Sequence, residues 1–250
     1  MSKYWLMPIT AAVAVAFSAP TKAADVTVSG DVLSSYVWRG VEVNGDAVLQ
    51  PAVDVAGMEL FGLPLGINVW GNMDLGDNDG ALDSGEFSEV DLTLTLELPL
   101  GLNLGYIEYW FPGGADSARE VSLSYGLDVV LQPELTVYFD VSDDPEEGES
   151  ADYYANLGVT VWGGEVAEGT TASVGAAIGY SGEDHAVLYG GGTDSGFFDW
   201  SVTVSATKQI SDAATLGLTV TYTDNVDDDA LSDAAADTDV FGGITGAVAF

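Results

Sequence analysis

The chain has 250 residues, 5 Lys+Arg against 40 Asp+Glu, a formal net charge of -35 and no cysteine. That length allows one sizeable core or one closed barrel. The missing cysteine excludes disulfides, thiolate metal sites and thiol nucleophiles, and the acidity argues against nucleic acid as a partner. A mean hydropathy of +0.21 excludes an ordinary disordered acidic chain.

Residues 1–23 predict an export signal, with Lys3 at the start, an apolar centre from Ile9 to Phe17, and Thr21 and Ala23 before a cut. The competing reading is a retained anchor, for which the apolar centre falls short of the roughly 20 residues a spanning helix needs. Residues 24–250 then form one domain, whose basic residues are Arg39, Arg119 and Lys208.

From Asp25 onward the pattern has period two, which puts alternate side chains on opposite faces of a sheet. The first run, 25–39, places Val26, Val28, Val32, Tyr36 and Trp38 on one face and Asp31, Ser35 and Arg39 on the other. Further runs follow at 47–60, 66–75, 87–98, 102–111, 120–130 and 135–143, then 151–162, 171–180, 197–209, 214–223 and 239–250. That makes about twelve strands, most near the ~9–11 residues that cross a bilayer when tilted. Tight turns at 98–101, 131–134 and 209–213 alternate with long acidic segments such as 76–86 and 223–239.

The expected fold is all-β: a transmembrane antiparallel up-and-down β-barrel in the outer membrane of a bacterial cell. Its short turns are periplasmic and its longer acidic loops extracellular. The final strand ends on Phe250, which resembles the insertion signal of such barrels. A soluble secreted β-sandwich is the competing fold. Outer-membrane lipid is the expected surrounding, and aromatics near strand ends, among them Tyr36, Trp38, Trp110, Trp162, Phe198, Trp200 and Tyr222, are expected to form interfacial girdles.

The other face supplies the lumen candidates: Asp31, Asp54, Asp74, Glu89, Asp91, Glu97, Glu120, Asp128 and Asp140, with Arg39 among them. A carboxylate-lined lumen favours cations. The reading is therefore a porin-like channel for small cationic or neutral solutes. Its alternative is a non-conducting structural or surface-binding barrel with cation-binding loops. The segment 75–86 places Asp77, Asp79, Asp83 and Glu86 at positions 3, 5, 9 and 12 of an EF-hand-like loop. Leu75 at the first ligand position argues against a dedicated site, so a loosely bound calcium ion is the only cofactor suggested. The single histidine, His185, has no accompanying nucleophile motif and reads as an exposed loop residue rather than part of an enzyme.

The residues Ser34, Ser35, Tyr36, Trp38, Arg39 and Gly40, with Gln50 and Pro51 beyond, resemble the start of the TorF family of outer-membrane porins. In that family a signal peptide precedes a strand ending in Ser-x-Tyr-x-aromatic-Arg-Gly. The resemblance implies a barrel and a channel role, and it leaves solute and oligomeric state open. By parity Tyr36 and Trp38 face lipid. Arg39 either pairs with inward acids near the pore mouth or lies in solvent at the rim, and Gly40 starts the first outer loop.

Overall fold

The computed structural model describes residues 24–76, 83–113, 117–142 and 153–250. The expected signal segment, and with it Asp77 and Asp79, lies outside the described residues. Among the described residues fourteen strands are present in two sheets. In chain order they are β1 Asp25–Leu33, β2 Tyr36–Trp38, β3 Val41–Asn44, β4 Val48–Leu60, β5 Leu63–Asp74, β6 Phe87–Leu98 and β7 Leu102–Trp110. There follow β8 Ala118–Gly126, β9 Glu134–Asp140, β10 Tyr153–Ala167, β11 Thr170–Ser181, β12 Gly196–Gln209, β13 Ala214–Asn225 and β14 Val240–Ala249.

β1 and β4 to β14 pair antiparallel with their chain neighbours, and β14 closes on β1 through Thr27↔Ala249 to Leu33↔Gly243. The result is a closed barrel of twelve strands, so no edge is left unpaired. This matches the expected fold and strand number, and it excludes the sandwich.

Turns at one end are short. Phe61 and Gly62 join β4 to β5, and Leu100 and Gly101 belong to the link from β6 to β7, each pair with positive φ at both residues. Two consecutive positive φ values belong to the tight hairpin turn whose twist suits antiparallel strands. The link from β8 to β9 departs from expectation. β8 stops at Gly126 and residues 127–133 form the turn, in place of a four-residue turn at 131–134. Asp128 therefore sits exposed in that turn, off the strand to which the pattern assigns it.

The two faces of the wall differ in kind. Val28, Val32, Val53, Val69, Leu92, Leu104, Leu123, Leu157, Val204, Leu218, Val220 and Ile244 are all exposed, though large and apolar, and they point outward on strand after strand. Their register partners repeat the choice, as in Val28↔Val53, Val69↔Leu92 and Val220↔Val204. The buried residues of the wall instead include many polar ones: Gln50, Asn72, Asp74, Glu89, Glu120, Asp199 and Thr223. The wall thus carries its aliphatic rows outside and a polar set inside.

The expected 25–39 strand is where the pattern and the fold part. The sheet strand ends at Leu33, and residues 36–44 make a separate hairpin, β2–β3. Arg39 and Gly40 are its two turn residues, with φ of 50° and 78°, and Trp38 pairs with Val41 across them. Parity counted from β1 fails beyond Leu33, so Tyr36, only 8% exposed, is not lipid-facing. Trp38 likewise turns inward, against Tyr189 and His185.

A second break in parity lies in β12. Ile178 pairs with Trp200, but Tyr180 pairs with Phe197, so β12 carries a bulge there. The bulge leaves Phe197 outside at 52% exposure and turns Phe198 fully inside. Of the expected girdle, Trp110, Trp162, Trp200 and Tyr222 are on the exposed surface, whereas Tyr36, Trp38 and Phe198 are not.

Candidate functional site

The β2–β3 hairpin reaches into the loop end of the barrel, and its turn carries Arg39 to the wall. Arg39 makes a two-pronged ion pair with Glu120 on β8, Nη1 to Oε1 at 2.8 Å and Nη2 to Oε2 at 2.6 Å. Both side chains are more than nine-tenths buried. The planar guanidinium lies 4.3 Å from the ring centres of Trp38 and Tyr138 and 4.6 Å from that of Tyr154. A parallel fork on a carboxylate, with aromatic faces around it, is the geometry that arginine satisfies and lysine does not. The Tyr109 hydroxyl donates to Glu120 Oε2 at 2.7 Å, and the Tyr154 hydroxyl to Asp199 Oδ1 at 2.7 Å.

Glycine is required beside this pair. A Cβ on Gly40 would lie 2.5 Å from Asp199 Cβ and 3.0 Å from Leu231 Cδ2, so the hairpin backbone runs directly against β12 and the loop before β14. That loop holds the hairpin from above: the Glu42 amide donates to the Ala235 carbonyl at 2.8 Å, and the Thr238 hydroxyl donates to Glu42.

A second loop closes on the same place. The helical segment Glu183–His185, continued by Ala186–Gly190, buries His185, Ala186 and Gly190. His185 is 2% exposed, contrary to its expected solvent position. It packs on Trp38, Tyr154, Tyr189 and Phe198 with ring centres 4.8–5.7 Å away. Tyr154 and Phe198 join Ala186, Ala230, Leu231 and Ala236 in the main apolar cluster of the described chain, at the loop end inside the mouth.

Burial, with the Arg39 cation adding to it, pushes the His185 imidazole down to about 3 from its ordinary 6.5. Between those values an undocked loop takes up a proton that the docked loop refuses. Docking therefore weakens as pH falls, by roughly 1.4 kcal/mol for each unit below 6.5. Acidification to about pH 4.5 is expected to expose the Ser232 amide, which bonds to the Gly190 carbonyl, in hydrogen-exchange measurements. His185→Phe keeps the ring and cannot take a proton, so it is expected to remove the pH dependence. Unchanged protection of wild type across the range contradicts this reading.

The other sequence candidates occupy the following positions. Glu89 and Asp91 on β6 lie beside Tyr36, whose hydroxyl bonds to Glu89. Asp140 pairs in register with Glu120 and is half-buried. Asp74 is 3% exposed in a polar ladder, where Gln50 Nε2 donates to Asn72 Oδ1 at 3.0 Å and Asn72 Nδ2 donates to Ser88 Oγ at 2.8 Å and Asp74 Oδ1 at 3.2 Å. Asp31 pairs in register with Gln50, and Asp54 accepts from Asn68 at 2.8 Å. Asp54 and Glu97 are exposed, toward the short-turn end. Arg39, Glu120, Glu89 and Asp91 thus converge near the loop end, Asp31 and Asp74 line β1 and β5, and Asp128 belongs to no such group. Asp83 and Glu86 hold a local turn, the Asp83 amide donating to Glu86 Oε2 at 3.2 Å. No cluster of metal-ligating side chains exists among the described residues.

Below the hairpin lies a cavity of about 470 Å³ lined by Arg39, Asp91, Tyr109, Tyr138, Tyr154, Asn156, Asp199 and a row of Ser and Thr hydroxyls. Ser201 and Thr203 also border a second space of similar size that extends to Gln132 and Glu134 at the short-turn end. Asp199, Tyr154 and Asn156 were not among the sequence candidates. Asp199 was hidden by the bulge beside it, and the other two by a polar face that carries aromatics as well as carboxylates.

No protein-family model matches the chain, and no curated protein matches it. Among solved structures the chain is similar to the COG4313 outer membrane channel from Pseudomonas putida F1, at 13% identity and a TM-score of 0.46, covering 93% of this chain and 97% of that one. It is similar to the NanC porin at 12% identity and a TM-score of 0.48, with 90% and 98% covered. OprB from Pseudomonas putida is similar at 9% identity and a TM-score of 0.36, with 91% and 92% covered. The barrel itself rests on this chain's own strand pairing.

Proposed function

We propose that the protein is an outer-membrane channel whose lumen passes small cationic or neutral solutes and is narrowed at the loop end by the β2–β3 hairpin. The observation that carries this reading is the polar, acid-lined cavity beneath Arg39, which shares the lining residues Ser201 and Thr203 with the space toward the short turns. An exposed apolar wall around a closed sheet supports a bilayer setting, because lipid requires both a greasy surface and fully paired backbone. The short-turn end, where β1 starts and β14 finishes, is then periplasmic. The resemblance of residues 34–51 to TorF-type porins agrees with a channel role, and no reaction is assigned to the lumen.

Asp91 and Asp199 both line the cavity, and carboxyl oxygens in a narrow passage draw cations and disfavour anions. In a planar bilayer under a KCl gradient the protein is expected to show a cation-selective reversal potential. Asp91→Asn combined with Asp199→Asn is expected to move that potential toward zero. An anion-selective potential, or no response to the double substitution, contradicts the reading.

The second reading, a non-conducting barrel, is favoured by one observation: the hairpin and the two loops packed on it fill the mouth with side chains. Current recordings separate the two.

A further inference from the structure

The Arg39 guanidinium belongs to a turn and not to the barrel wall, and of the groups around it only Trp38 shares the hairpin, whereas Glu120, Tyr109, Tyr138 and Tyr154 project from wall strands. The wall therefore presents a ready-made receptor for a planar cation. One carboxylate is oriented by a tyrosine hydroxyl to accept a fork, and two rings flank the plane within 4.6 Å of its centre. The occupant is delivered by a hairpin whose turn residue Arg39 has a φ of 50°, a conformation that costs a non-glycine residue of order 1 kcal/mol. Arg39, Tyr109, Tyr138 and Tyr154 also line the cavity of about 470 Å³, where Asp91 and Asp199 stand beside them, and Glu120 lies behind Arg39. With Glu120 already matched to Arg39, those two carboxylates have no basic side chain of their own along the cavity lining.

We propose that this cage is a recognition site for small guanidinium-bearing solutes and that Arg39 is its tethered resident. A solute entering from the cavity and the Arg39 side chain compete for the same carboxylate and the same two rings. The cage favours guanidinium over ammonium because a flat, weakly hydrated cation fits between ring faces and meets both carboxylate oxygens, whereas a compact hydrated ammonium does neither. The inference rests on the lumen being reachable by solutes, as in the proposed function, but it does not require current to flow.

The test is calorimetric titration of the detergent-solubilised barrel with methylguanidinium, using Arg39→Gly to vacate the cage. Glycine suits the positive φ at that turn. Arg39→Met, which keeps most of the stem volume, is the second variant should the first lose its hairpin. Saturable binding of one equivalent to the vacated variant is expected, with binding at least about tenfold weaker when Glu120→Gln is added, as loss of a charge-assisted fork implies. Wild type is expected to bind more weakly than the vacated variant, because its own arginine competes, and methylammonium is expected to bind more weakly than methylguanidinium. Equal response to the two cations, or binding unaffected by Glu120→Gln, overturns the site. A barrel that carries no current but binds methylguanidinium in this way refutes the channel reading alone. A conducting barrel that ignores it refutes the cage alone.

Discussion

Glu120→Ala is expected to release the β2–β3 hairpin from the barrel and to make the Arg39–Gly40 bond a target for trypsin. The substitution leaves a guanidinium more than nine-tenths buried with no carboxylate on its fork, and it removes the acceptor of the Tyr109 hydroxyl. Breaking a buried pair by removing one partner costs about 3–5 kcal/mol, chiefly because the remaining charge stays desolvated. The twelve-stranded wall does not depend on the hairpin, so the cost falls on docking. At 1.4 kcal/mol per tenfold, the undocked population rises by a factor of about a hundred or more, and cleavage follows that population while docking is faster than cutting. The protein supplies its own control. Arg119 and Glu108 also pair, at 3.4 Å, but their side chains are 30% and 40% exposed, and such pairs contribute less than about 1 kcal/mol. Glu108→Ala is therefore expected to leave cleavage at Arg39 unchanged. Equal trypsin resistance of Glu120→Ala and wild type refutes the docking role of the pair.

Phe198→Ala is expected to have a comparable effect on the two loops above the hairpin. The side chain is fully buried, set edge-on to Tyr154 at 6.0 Å between ring centres and to His185 at 5.3 Å. It also packs so closely on Gly190 that a Cβ there would meet its ring at 2.6 Å. Removing a buried phenylalanine costs about 3–5 kcal/mol where the site cannot collapse. This cluster is the main apolar one among the described residues, and the loss falls on segments 182–195 and 226–239 that meet there. Amide exchange at Ser232, Ala235 and Ala236 is expected to accelerate while the strand amides stay protected. Phe197→Ala, on the outer face, is the matched control and is expected to leave those amides alone. Equal exchange in the two variants contradicts the assignment of Phe198 to the mouth.

These two effects also mark where the amino-acid pattern is informative and where it is not. Period two locates the barrel strands because a pleated ladder, once closed, forces strict alternation between lipid-type and lumen-type side chains. Val90, Leu92, Leu94 and Leu96 against Glu89, Asp91, Thr93 and Thr95 show it directly. Parity is legible only while a ladder is unbroken. At Ser34 the chain leaves the sheet without losing its alternation, since β2 and β3 are themselves strands, and the lipid-facing places assigned to Tyr36 and Trp38 turn inward. The discriminating signal was the dipeptide Arg39-Gly40, which repeats the residue-glycine pattern of Phe61-Gly62 and Leu100-Gly101 and marks a two-residue hairpin turn.

The placement of His185 was missed for a different reason. Its segment reads as an acidic loop by composition, yet His185, Ala186, Tyr189 and Gly190 fall on one side of a helical turn, with Val187 and Leu188 on the other. A period of 3.6 inside a loop signals docking against something. The bulge at Phe198 had no signal in the sequence, because two adjacent phenylalanines fit either face. The Arg39 partnership with an inward acid was legible in kind, and Glu120 stood among the candidates. The aromatic enclosure around it was not, because Tyr138 and Tyr154 share the polar face with the carboxylates.

The central claim is that this barrel conducts and that its first hairpin, held by Arg39 and Glu120, narrows the passage. Paired single-channel recordings of wild type and Glu120→Ala under one KCl gradient test it most directly. The account predicts cation-selective currents from both proteins, with the larger unitary conductance in Glu120→Ala. Silence from both, or equal conductance from the two, would contradict it.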